Sequence, residues 1–161
     1  MRDDDSQEYR KMRGCIEIAL MRASDGKVLD KQVHYNAIVT GGRSWVLDNL
    51  LSGQAASAQV LGFIAVGTDA TAPVTSDTIL GSEAERKAVG TWDTTGLTAT
   101  AGPYFAAQVQ FATDEANTTL GELGIFNTST ANAQTMLGHA NFSTINKAST
   151  NTLGVTYTIS N

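Results

Sequence analysis

The chain has 161 residues, a formal charge of −5, and 42% hydrophobic against 17% charged side chains, which fits one globular domain with its own core and excludes wholesale disorder. After residue 90 the only lysine or arginine is Lys147, against Asp93, Asp114, Glu115 and Glu122, so that half lacks the basic footprint with which a nucleic-acid binder displaces counterions from phosphates. With Cys15 as the one cysteine, an intrachain disulfide and a cysteine-based metal site are both excluded.

Residues 1–13, "MRDDDSQEYRKMR", are polar and rich in charge, with little to bury. The stretch reads as an extended N-terminal arm, ordered by contact with a neighbouring subunit. It is too acidic for a signal peptide, and no apolar run reaches the roughly 18 residues of a membrane span, so the expectation is a soluble chain made in a cytoplasm, with no membrane partner. From residue 14 to 161 the pattern is that of one β domain. In "CIEIALMR" Ile16, Ile18 and Leu20 alternate with Glu17 and Ala19 at the period of a half-buried strand. Asp25-Gly26 reads as a hairpin turn, and "KVLDKQVHYNAIV" as the returning strand. "SWVLDNLLSG" is the one helix candidate, near residues 44–52: Ser44 caps it, Trp45, Leu47, Leu50 and Leu51 give it an apolar side, and Gly53 ends it.

"QVLGFIAVGT" reads as an apolar strand, followed by the turn formers of "DATAPVTSD". Short runs rich in threonine, valine and aromatic residues follow: "RKAVGTWDT", "LTATA", "YFAAQVQFAT", "TLGELGIFN", "TMLGHANFS" and "TLGVTYTIS". Strands at this spacing predict a mainly β chain, an antiparallel β-sandwich or barrel-like domain. In the last run Leu153, Val155, Tyr157 and Ile159 fall on one face.

The glycine-rich "GELGIFN" has neither the Lys-Ser/Thr ending nor the following helix that a phosphate loop needs. Gly121 and Gly124 instead mark a bulge or a close backbone approach within a strand, with Leu123, Ile125 and Phe126 supplying buried faces. Only His34 and His139 are histidines. Each is expected as a half-buried strand residue donating to a backbone carbonyl, and with no nucleophile elbow the chain reads as a non-enzyme without a cofactor. The acids of "DDD" at 3–5 and "TDE" at 113–115 lack the oxygen spacing of a calcium loop, so no metal site is assigned. The charge run "ERKAV" reads as a solvated face. The sequons at Asn117, Asn127 and Asn141 read as chance matches in a Thr-rich chain. Trp92 and Tyr104 are the candidate aromatic platforms for a glycan among the Thr, Ser and Asn side chains of the loops.

In the order of its segments the chain resembles the small virion structural proteins of tailed bacteriophages, variously labelled tail-fibre, baseplate or capsid decoration (cement) proteins. The resemblance lies in "VHYNAIVTGGRSWVLDNLLSG", "FIAVGTDATAPVTSDTILGSEAERKAV", "GELGIFN", "TMLGHANFSTINK" and "LGVTYTIS", and covers residues 14–160. It implies a structural component of a virion with no catalytic residues, most simply a capsid decoration subunit that staples neighbouring coat proteins, with a tail-fibre or baseplate component as the alternative. It also implies a homotrimer, with phage capsid or tail proteins as partners. On this expectation Arg2, Arg10, Lys11 and Arg13 of the arm meet acidic or carbonyl groups on the partner.

Overall fold

A computed structural model describes residues 13–44, 62–93, 104–131 and 136–160, and its strands follow the alternation closely. β1 (Arg13–Arg22) and β2 (Val28–Ile38) form the first hairpin. Its turn works because Gly26 takes φ +69° and because the Asp25 carboxylate accepts both the Lys27 N–H and the Arg22 guanidinium, each at 3.0 Å. Arg13 thus opens β1 one residue ahead of the boundary expected for the domain; residues 1–12 lie outside the described residues.

The remaining strands are β3 (Phe63–Gly67), β4 (Glu83–Ala88), β5 (Thr91–Asp93), β6 (Tyr104–Phe111), β7 (Thr119–Phe126), β8 (Met136–Asn146) and β9 (Asn151–Ser160). They hydrogen-bond in the order β4-β3-β7-β8-β2-β1-β9-β6-β5, every pair antiparallel. This ribbon folds into two packed sheets because strands turn corners at both sides. On one side β2 pairs with β1 and then bends, so that Ala37 and Ile38 pair with His139 and Gly138 of β8. On the other, β4 ends in one sheet and β5 begins in the other, with the Val89 N–H bonded to the Gly62 carbonyl and the Gly90 N–H to that of Gln108. "RKAVGTWDT" is therefore two strands rather than one run, split where the chain changes sheets. No ladder joins β4 to β5 among the described residues, which makes this a sandwich rather than a closed barrel.

The main core lies between the sheets: Ile16, Ile18, Val109, Phe111, Leu120, Leu123, Ile125, Phe142, Leu153, Val155 and Tyr157 are all buried there. A second cluster, Val39, Ala65, Leu80, Phe126 and Met136, covers the outer face of the β3-β7-β8 sheet. Over β7 and the first half of β8 that sheet is buried on both faces, which explains why "LGIF" in β7 reads as a continuous apolar run. The ladder between β7 and β8 shifts register between Leu120 and Glu122, so Gly121 sits in a bulge as expected. At Gly124 a Cβ would come within 2.7 Å of the Phe126 ring and 3.0 Å of Leu80; the missing side chain is the slot these two fill.

The helix begins earlier than its sequence signals. Residues 40–44 are already helical, and the Arg43 N–H bonds the Val39 carbonyl at 3.1 Å, so Ser44 lies inside the first turn instead of capping it. Gly41 and Gly42 disfavour a helix by propensity. Packing overrides that preference, since a Cβ on Gly42 would stand 2.3 Å from the Leu137 carbonyl oxygen of β8. Trp45, Leu47, Leu50, Leu51 and Gly53, and the "LTATA" run, lie outside the described residues. Gly42→Ala should lower stability by about 1–3 kcal/mol by overpacking against backbone. Thermal unfolding should register this, whereas Gly90→Ala, which meets nothing within 4 Å, should unfold close to wild type.

Candidate functional site

The outer face of β7 and β8 places a carboxylate where an apolar side chain would be expected. Glu122 lies opposite Gly67 of β3 and Asn141 of β8, and the segment 68–82 between β3 and β4 folds over it. Glu122 is only 1% exposed, and its oxygens accept the backbone N–H groups of Ser82 at 2.8 Å, Gly81 at 2.9 Å and Asp69 at 3.3 Å. Gly67 makes the room: a Cβ there would meet Glu122 Oε1 at 2.3 Å.

His139 of β8 completes the cluster. Its Nε2 is 3.2 Å from Glu122 Oε2, and its Nδ1 is 2.7 Å from Oδ2 of Asp77, which belongs to the covering segment. Asp77 Oδ2 also accepts the Val74 N–H at 2.8 Å. Asn141 donates to the Thr71 carbonyl, and the Thr40 N–H to that of Thr75 at 2.8 Å. The segment is thus tied to the sheet along its length by side chains of two strands and by the start of the helix.

The electrostatics favour a charged cluster. Burial by itself would raise the Glu122 carboxyl, but the hydrogen bonds from His139 and from the three backbone N–H groups outweigh it and hold the group below its usual range. Burial by itself would lower the His139 imidazole, and its bonds to Glu122 and Asp77 outweigh that and raise it. An imidazole with carboxylates on both nitrogens has no nitrogen left to take a proton from a nucleophile. Ser82 enters the cluster through its backbone N–H, so the arrangement acts as a staple between loop and sheet.

Two further buried charges repeat this use. Arg86 of β4 forms a two-pronged pair with Glu83 at 2.7 and 2.8 Å, donates to the Thr128 carbonyl at 2.9 Å, and stacks 3.7 Å above the Phe126 ring. The expectation of a solvated "ERKAV" face is corrected here: edge strand β4 turns Arg86 over an aromatic ring instead of into water. Lys147 is also buried, donating from Nζ to the Ala112 carbonyl at 2.6 Å and to Asn117 Oδ1 at 3.0 Å. Burial lowers its ammonium below the ordinary lysine range. These bonds, with that of Lys87 to Glu115, hold the loop 112–118, in which Ala116 takes φ 52°. Glu115 of the "TDE" run is occupied by Lys87 and the Ala112 N–H, and the sequon residues Asn117 and Asn141 serve as loop anchors.

The two histidines depart from their expected role. His139 meets carboxylates, and His34 Nε2 lies 2.9 Å from Gln32 Oε1 with its ring tilted 6.3 Å from that of Phe142. Among the described residues neither bonds a backbone carbonyl, because a loop in one case and a neighbouring strand residue in the other bring side chains to them first. Of the expected contact residues, Arg2, Arg10 and Lys11 lie outside the described residues, and Arg13 opens β1 with its backbone paired to Ser160. Trp92 pairs with Ala107 of β6, and Tyr104 pairs with Ser160 of β9. The sequence marks the anchors Glu122 and Lys147 only by an acid flanked by glycines inside a strand and by a lone lysine after residue 90, and it does not mark Asp77 at all.

Fold and site together define an antiparallel β-sandwich whose buried charges fasten its loops. No family model matches the chain, and neither a curated protein nor a solved structure matches it.

The staple predicts a pH window. The Glu122 contribution is whole above its ordinary value of 4.5 and is lost as pH falls through its lowered folded value; the His139 contribution is whole below 6.5 and is lost as pH rises through its raised folded value. Protection factors of the Gly81 and Ser82 amides should therefore be highest between these values. Glu122→Gln should remove the acid limb and His139→Gln the alkaline one, each at a cost of about 2–4 kcal/mol in denaturant unfolding, because a buried partner is left unpaired.

Proposed function

We propose that this chain is a non-enzymatic structural subunit of a bacteriophage virion, most simply a capsid decoration subunit that staples neighbouring coat proteins. The observation that carries an assembly role is a group of exposed apolar side chains on β2, where Val28, Leu29, Val33 and Tyr35 expose 51, 43, 52 and 76% of their surface and the ladder to β1 is irregular at Leu29. Side chains of this kind grouped on one strand mark an interaction surface more often than a solvated one. The loops are fastened by buried charges, as suits a rigid building block, and the segments quoted above carry the resemblance to virion proteins. A baseplate or tail-fibre component is the alternative placement on the same resemblance.

In this reading residues 1–12 lie across a neighbouring coat or tail protein, with Arg2, Arg10 and Lys11 meeting acidic or carbonyl groups there. The order gained on binding costs conformational entropy, which those charge-assisted contacts offset. Removing residues 1–12 should leave a folded domain and sharply reduce its incorporation into particles; unchanged occupancy would overturn the arm's role. Counting copies per particle separates the placements: a number matching the capsid lattice means decoration, and one matching the tail's symmetry means a tail component.

A further inference from the structure

The outer face of the sheet formed by β1, β9 and β6 carries a groove of about 380 Å³. It is built from the residues that alternate with the buried Ile16, Ile18, Val109, Leu153 and Val155. Two rows cross the three strands: Glu17, Thr156 and Gln108 lie abreast in one, and Ala19, Gly154 and Gln110 in the next. The second row is low, because Gly154 has no side chain and Ala19 only a methyl; a Cβ on Gly154 would already stand 3.3 Å from the Met21 methyl. Lys87, Ala88 and Gly90, at the corner where the chain leaves β4 beside β6, line the far end. The groove is therefore a trough with a small apolar floor, rimmed by a carboxylate, a hydroxyl and two carboxamides.

The rim sets the chemistry of an occupant. Its charges are already answered, since Glu17 is held 3.0 Å from Lys31 and Lys87 is paired with Glu115; neither an anion nor a cation finds an unmatched partner there. The carboxamides are held loosely. Gln108 Nε2 reaches Thr156 Oγ1 at 3.4 Å and Gln110 Nε2 reaches Thr152 Oγ1 at 3.5 Å, at the long limit of a hydrogen bond. Each carboxamide sets an acceptor beside its N–H donors, and each threonine hydroxyl offers both, which matches the paired donors and acceptors of vicinal hydroxyls. The floor suits the C–H face of a ring. An apolar ligand needs most of its surface buried, which an open trough on a sheet face does not provide. An added peptide strand needs an unpaired edge, whereas β1 and β9 are laddered on both sides. We propose that this trough binds a neutral saccharide, with Gln108 and Gln110 bonding its hydroxyls and with Ala19 and Gly154 beneath the sugar ring. The site goes beyond the virion reading and does not depend on it.

The full isotope-labelled chain can be titrated in nuclear magnetic resonance with glucose, galactose, mannose, rhamnose and N-acetylglucosamine and with their neutral oligomers. At least one should give saturable shifts of the Gln108 and Gln110 side-chain amide signals. Gln108→Ala and Gln110→Ala should each weaken that binding by about five- to tenfold, and Gly154→Val should abolish it by filling the floor. Valine suits a strand, and Ala19→Leu fills the same floor from β1 should Gly154→Val not fold. Tyr35→Ala, on β2 outside the groove, should bind as wild type does. Chain length tells the source of the sugar: tighter binding of an oligomer than of its monosaccharide assigns the site to a polysaccharide, equal binding assigns it to a free sugar, and both support the site. No saturable shift with any neutral sugar, shifts that spare both glutamines, undiminished binding by a folded floor-filling variant, or binding of glucuronic acid alone would each overturn the proposal. Sugar binding by a chain that never enters particles would overturn the virion reading and leave this site standing; entry into particles without sugar binding would do the reverse.

Discussion

A carboxylate cut off from water stays ionised only if donors replace the water it has lost. Around Glu122 those donors are the backbone N–H groups of Asp69, Gly81 and Ser82 and the imidazole of His139, so the position of the 68–82 segment follows from the needs of one buried group. Much of the architecture then falls into place. The segment delivers Leu80 into the second hydrophobic cluster, and that cluster dries the outer face of the β3-β7-β8 sheet. The lack of a side chain at Gly67 and Gly124 makes room for the carboxylate and for Leu80.

Such a cluster is a poor way to gain net stability, because desolvating charges costs about as much as their pairing returns. What it secures is position: an apolar plug could settle in several places, whereas an imidazole bridging two carboxylates has one. Arg86 above Phe126 and Lys147 beneath the loop 112–118 do the same for other parts of the surface. A domain whose loops are pinned in this way presents fixed faces to its surroundings. Against that rigid frame the exposed Val33 and Tyr35 of β2 stand out as apolar side chains left in solvent.

Local pattern carried most of the strand assignments. The alternation of Ile16, Ile18 and Leu20, the Asp25-Gly26 turn, and the bulge with a close approach at Gly121 and Gly124 were all legible, since each depends on residues adjacent in the chain or in one strand. The helix start was not, because Gly41 and Gly42 become favourable only once Gly42 rests on the backbone of Leu137. Nor was the break at Val89 and Gly90, where the chain leaves one sheet for the other. The candidate site was the least legible part: Asp77, Glu122 and His139 come from three separate segments, and nothing local to any of them announces the other two.

By itself the sequence determined the class of fold, the hairpin turns and the strand interiors, because periodicity and turn chemistry act over a few residues at a time. Sheet order was decided only in the tertiary structure, and with it two outcomes that periodicity cannot settle. One is that β7 and the first half of β8 are covered on both faces, which turned a charged strand residue into an internal staple. The other is that β2 shows its polar row to the interior and its apolar row to solvent, since which face of a strand is dry depends on what packs against it and not on the alternation itself.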